Sequence, residues 1–176
     1  MLHNKHFEII EQFLGNFNRE IYGRELVRKV SLSQKAIALT LDELERGNIL
    51  VSRRQGNIKY FRLNLENMEM KDILISVEIS RKIIFLKKHR KLAHILKSDT
   101  RIVGIFGSYA RGTQKRDSDI DLFIIGERRK EDYDKKGRLF DLAISIKYFP
   151  EKKFIRLIKS KNNLCKEIIG SHIIIS

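Results

Sequence analysis

Among its 176 residues the chain has one cysteine, one proline and no tryptophan, and it has no long apolar run. With Cys165 alone there is neither an internal disulfide nor an all-cysteine zinc site. Apolar runs well short of about 18 residues leave no candidate for a membrane-crossing helix. The opening MLHNKHFEII lacks the extended apolar core of a secretory signal, so the expected location is cytoplasmic, away from any membrane. Histidine offers no metal site: His89 and His94 are five apart, off the four-residue step of a helical pair, and His3, His6 and His172 form no ligand pattern.

What the chain does have is positive charge. Thirty-six Lys and Arg face 22 Asp and Glu, a formal net charge of +14 spread along the whole length. That balance points to a polyanionic partner such as nucleic acid. The 42% hydrophobic content is enough for a core, and the length fits one domain or two small ones.

The stretch from Ile102 to Ile125, IVGIFGSYARGTQKRDSDIDLFII, organises the C-terminal part. An apolar run, Ile102 to Phe106, is cut by Gly107-Ser108, and a second apolar run opens on Asp119 and Asp121. A strand leading through Gly-Ser into a helix N-terminus offers backbone N–H groups and a hydroxyl to a phosphate. Side chains two apart on a strand share a face, with Cα atoms about 6.5–7 Å apart, so both aspartates can reach the same divalent ion. Two other motifs fail. Gly107 to Gly112 has the glycine spacing of a P-loop, but Thr113 stands where lysine is required. Asp117, Asp119 and Asp121 mimic the start of an EF-hand, but Leu122 replaces its glycine and Arg128 its bidentate glutamate.

Gly107-Ser108 followed by Asp119-Ile120-Asp121-Leu122 resembles the nucleotidyltransferase superfamily typified by DNA polymerase β, in particular its minimal nucleotidyltransferases, over residues 99–176. The resemblance implies two Mg²⁺ ions on three carboxylates, and Asp141, on a strand expected over 138–146, sits where the third belongs. It further implies attack on the α-phosphate of a nucleoside triphosphate, with AMP the expected transferred group. Gly107, Ser108 and Arg111 would grip the phosphates, with Lys115 or Arg116 as further cations. Members of this group also act as antitoxins to helical HEPN-type toxins, so such a partner is an expectation too.

Upstream, helical spacing over 7–14, a second helix near 21–30 and a third from Gln34 to Arg46 precede two strand-like runs, 49–53 and 59–63, joined by Arg54-Gln55-Gly56-Asn57. Ser33 is a good N-cap, and Gly47 suits the left-handed position after the helix. The order resembles the winged helix-turn-helix family of prokaryotic transcriptional regulators. It implies double-stranded DNA as partner, with Ser33, Gln34, Lys35 and Thr40 on the recognition helix and Arg53, Arg54 and Lys59 on the wing. Residues 68–97 carry a helical pattern without Pro or Gly, expected as one helix about 45 Å long with apolar surface for a homodimer. The expected architecture is α+β: a winged helix (1–66), a connector helix (67–98) and a nucleotidyltransferase domain with a mixed sheet (99–176). Function divides between nucleotidyl transfer and a DNA-binding regulator or antitoxin whose C-terminal domain senses nucleotides or is catalytically silent.

Overall fold

In the computed structural model, which describes residues 2–96, 99–129, 133–160 and 162–176, the chain forms two compact units, Met1–Ile79 and Ser80–Ser176. The first begins with α1 (Asn4–Ile10) and a 3₁₀ turn (Glu11–Phe13), which bury Ile9, Ile10 and Phe13. The helix expected over 21–30 is instead a short strand and a single helical turn, β1 (Ile21–Tyr22) and α2 (Gly23–Leu26). Ile21 and Tyr22 pair with Phe61 and Tyr60, and β-branched and aromatic side chains suit such a ladder.

Helix α3 (Gln34–Arg46) starts where its cap predicts: the Ser33 hydroxyl accepts the Ala36 N–H at 3.2 Å. Its inner face buries Ile37, Leu41 and Leu44. Thr40 is buried with them and its hydroxyl donates to the Ala36 carbonyl, so it is not available to DNA as expected. The helix ends through Asn48 rather than Gly47. Asn48 takes the left-handed conformation (φ 58°), and its carbonyl accepts the side-chain amides of Asn64 and Asn67. Strands β2 (Leu50–Gln55) and β3 (Ile58–Leu63) then form a hairpin closed by Gln55 opposite Ile58, with Gly56 and Asn57 as its loop. The sheet order is β1-β3-β2, antiparallel throughout.

The expected connector is two helices, α4 (Met70–Lys88) and α5 (Arg90–Leu96); residues 97 and 98 lie outside the described set. The helix breaks at His89, whose ring packs on Phe85 and meets Tyr109 edge-on. Among the described residues no helix is long and apolar enough to cross a membrane.

The second unit continues with β4 (Ile102–Phe106), α6 (Gly107–Arg111), β5 (Ile120–Ile125), α7 (Tyr133–Arg138), β6 (Ile144–Phe149), α8 (Glu151–Lys159), α9 (Asn163–Gly170) and β7 (Ile173–Ile174). The sheet order is β6-β5-β4-β7, with β5 and β6 parallel and the other pairs antiparallel, so the sheet is mixed as expected. One face packs Val103, Ile105, Ile120, Leu122 and Ile124 against Leu92 and Ile95 of α5. The other packs Phe106, Phe123 and Phe149 against Phe154 of α8 and Ile168 of α9. Gly104 makes room for this second core, since a Cβ there would lie 2.2 Å from Cζ of Phe123.

One edge of the fold is pinned by charge. Asp99 is buried and accepts hydrogen bonds from the Arg101 guanidinium at 2.6 and 2.9 Å and from the Tyr133 hydroxyl. Burial alone would push this carboxyl up, but the hydrogen bonds from Arg101 and Tyr133 hold it far below the ordinary aspartate value.

The expected strand over 138–146 starts later. Helix α7 ends at Arg138 and the chain turns through Leu139, which is 81% exposed, to Asp141 at φ 56°. Leu142 N–H closes the turn on the Gly137 carbonyl at 3.0 Å. Asp141 is therefore an exposed turn residue, three positions before β6, in a left-handed conformation that aspartate tolerates better than most side chains.

Candidate nucleotide site

The site is built at one end of β4 and β5. Their antiparallel register sets Phe106 opposite Asp121, so the bend that follows β4 arrives beside the Asp121 carboxylate. Gly107 makes that bend at φ +69°, and a Cβ on it would lie 2.5 Å from Oδ2 of Asp121. Both the backbone angle and the contact require glycine. Ser108 follows in the first turn of α6, its carbonyl accepting the Thr113 N–H at 2.9 Å. Asp119 is exposed and stands just before β5, two residues from Asp121 and on its side of the strand. Ile120 between them is buried and ties its N–H to the Ala143 carbonyl at 2.8 Å.

Charges surround the half-buried Asp121. Burial first, then the charges of Asp119 and of Glu167 on α9, push its carboxyl above the ordinary value; Lys147 on β6 and Arg111 on α6 pull the other way. Arg111 in turn meets Glu167 at 3.4 Å. Glu167, Lys147 and Ser145 belong to this site without having stood out in the sequence. The alternation of ISIKYF marks Ser145 and Lys147 as one polar edge of a strand, but nothing local places that edge beside Asp121.

Two neighbouring carboxylates next to a glycine bend, with Asp121 raised first by burial and then by the charge of Asp119, suit a single phosphate-bound divalent ion. They do not suit the pair of ions that the resemblance implies. Among the described residues no three His, Cys, Asp or Glu side chains are gathered to hold a metal, and Asp141, expected as the third, stands in its turn instead.

In the first unit, Gln34 and Lys35 are exposed at the start of α3, and the Ser33 hydroxyl is spent on the helix cap. Arg53 pairs with Glu20 and lies over the Tyr60 ring, while Lys59 pairs with Glu45 at 2.6 Å and Asp42 at 3.4 Å. Arg54, at the hairpin tip, is exposed and makes no ion pair among the described residues. Between α3 and the hairpin lies a cleft of about 440 Å³, walled by Tyr22, Leu41, Ile58 and Phe61 with Arg24 and Asp42 among its polar groups.

Residues 90–176 match the family model described as Polymerase beta, Nucleotidyltransferase. The match, over just under half of the chain, supports the polymerase β nucleotidyltransferase superfamily for these residues and suggests nucleotidyl transfer in general. No curated protein and no solved structure matches the chain.

The raised Asp121 value has a consequence for stability. The folded state binds this proton more tightly than the unfolded chain, so the ionised carboxylate costs stability, fully above the folded value and not at all below the unfolded one. In the absence of metal and nucleotide, Asp121→Asn should therefore raise the melting temperature at pH 7. The gain should vanish as the pH falls below about 3.9. Thermal melts of both proteins across that range test the sign.

Proposed function

We propose that the chain is a magnesium-dependent nucleotidyltransferase that takes a nucleoside monophosphate, AMP by preference, from a triphosphate, and that its N-terminal unit is a winged helix-turn-helix binding double-stranded DNA. The observation that carries the first half is the Asp121 carboxylate held against the Gly107 bend with Asp119 beside it. In this reading the Gly107-Ser108 backbone and Arg111 bind the phosphates, and Asp119 and Asp121 orient them through the divalent ion. When bound, that ion neutralises charge on the reacting phosphate oxygens. The location expected of such a chain is the cytoplasm.

A second reading is favoured by one specific observation, the placement of Asp141 in an exposed turn. Without Asp141 beside the pair, the domain binds the nucleotide but leaves it intact, and acts as a sensor for the DNA-binding unit. Incubating the full chain with α-³²P-labelled triphosphates, Mg²⁺ and RNA or protein acceptors separates the two. Transfer predicts a covalently labelled acceptor that Asp119→Ala abolishes; sensing predicts retained nucleotide and no labelled product. Failure to bind any triphosphate contradicts both.

The DNA reading is supported by the order helix, strand, helix, helix, hairpin, and by a capped α3 whose start exposes Gln34 and Lys35. Arg53 and Lys59 are already neutralised by Glu20 and Glu45, so Lys35 and Arg54 carry the larger share of phosphate contacts. A dimer would read two half-sites, and Ile75 and Ile79, exposed four residues apart on α4, offer it a seam. Duplex binding measured by fluorescence anisotropy should weaken steeply with salt. Lys35→Ala and Arg54→Ala should each reduce the salt slope by about 1, and Asp119→Ala should leave it unchanged. Salt-independent binding would contradict a phosphate-borne interface.

A further inference from the structure

The resemblance places an acid on the strand beside Asp121, and that strand carries a lysine instead. Strands β5 and β6 are parallel and in register, with Asp121 opposite Ser145 and Phe123 opposite Lys147. Register partners point to the same face, here the face on which Phe106, Phe123 and Phe149 form the second core. On that face β6 presents Ser145, Lys147 and Phe149, and so no carboxylate. The side chain next to Asp121 is a serine, and the next one along is a lysine.

Lys147 is exposed and makes no ion pair among the described residues. Register sets it on the face shared with Asp121, one alternate position along β6 from Ser145, the residue opposite that carboxylate. Arg111 on α6 is engaged by Glu167. A triphosphate brought to two aspartates with one divalent ion leaves the site net negative. A compact ammonium on a flexible stem is suited to answer that charge, since lysine binds phosphate as a point charge without needing a fixed fork geometry.

We propose that Lys147 is the second cation of this site: its ammonium, in place of a second metal ion, binds the phosphate chain of a nucleotide held by one divalent ion at Asp119 and Asp121. The proposal rests on the nucleotide-binding reading above, whether or not transfer follows. It accounts for a site that keeps its paired aspartates and its glycine bend while Asp141 stands in a turn.

The test uses the full chain, Mn²⁺ and the α,β-methylene analogue of ATP, which cannot be cleaved at the transferred group. Electron paramagnetic resonance of free Mn²⁺ counts the ions bound, and calorimetry gives the affinity for the analogue. The expected result is one Mn²⁺ per bound analogue. Lys147→Ala should weaken analogue binding about tenfold or more, Lys147→Arg should keep most of it, and Lys152→Ala, an exposed lysine on α8, should bind as the parent does. Two Mn²⁺ ions per analogue, or undiminished binding by Lys147→Ala, would overturn the proposal while leaving the nucleotide reading intact. No analogue binding by the parent chain overturns that reading and this proposal with it.

Discussion

The pairing of β4 with β5 fixes the distance between a backbone bend and a carboxylate, and the rest of the second unit is arranged around that contact. Phe106 opposite Asp121 brings Gly107 to the carboxylate, with no room for a Cβ between them. A slip of one residue would turn every β5 side chain to the other face, putting Asp121 into the core and Ile120 into the site. Two cores resist that slip from opposite sides of the sheet. Ile120, Leu122 and Ile124 are held by one, and Phe123 by the other. The glycine at 104, required by the Phe123 ring, belongs to the same arrangement.

Against that packed frame the site itself is electrostatically uneasy. Burial first, and then the charges of Asp119 and Glu167, raise Asp121, and the neighbouring Lys147 and Arg111 relieve this only in part. A local cost of this kind is expected where a protein keeps a place for a ligand of opposite charge. It contrasts with Asp99, also an aspartate and more deeply buried, whose hydrogen bonds from Arg101 and Tyr133 hold its titration below the ordinary value. The two aspartates mark the difference between a charge satisfied within the fold and one only partly compensated.

How much could be read in advance varied with how local the signal was. Helix α3 and the hairpin were legible because Ser33, Asn48 and Gly56-Asn57 act on their own neighbours, although the left-handed residue proved to be Asn48 and not Gly47. β4 and β5 were legible because each is an apolar run with a marked end. β6 was not: apolar positions recur every second residue from Phe140 through Tyr148, so the start of the strand is unmarked, and Phe140 and Leu142 pack on the core from the turn before it. That unmarked start makes Asp141 read as a strand residue, whereas the strand begins at Ile144. It also hides Ser145 and Lys147, whose place beside Asp121 and Phe123 depends on register with a strand more than twenty residues away. Glu167 carried no sequence signal, since only the packing of α9 brings it to Arg111.

The central claim is that the Gly107 bend and the Asp119–Asp121 pair together hold a cation-bound triphosphate. The most direct measurement is a crystal structure of the full chain with Mn²⁺ and a non-cleavable triphosphate, with data collected for the anomalous signal of manganese. The account predicts an anomalous peak between the carboxylates of Asp119 and Asp121, with the phosphates against the Gly107-Ser108 backbone. Manganese and nucleotide bound elsewhere, or phosphates turned away from that bend, would contradict it.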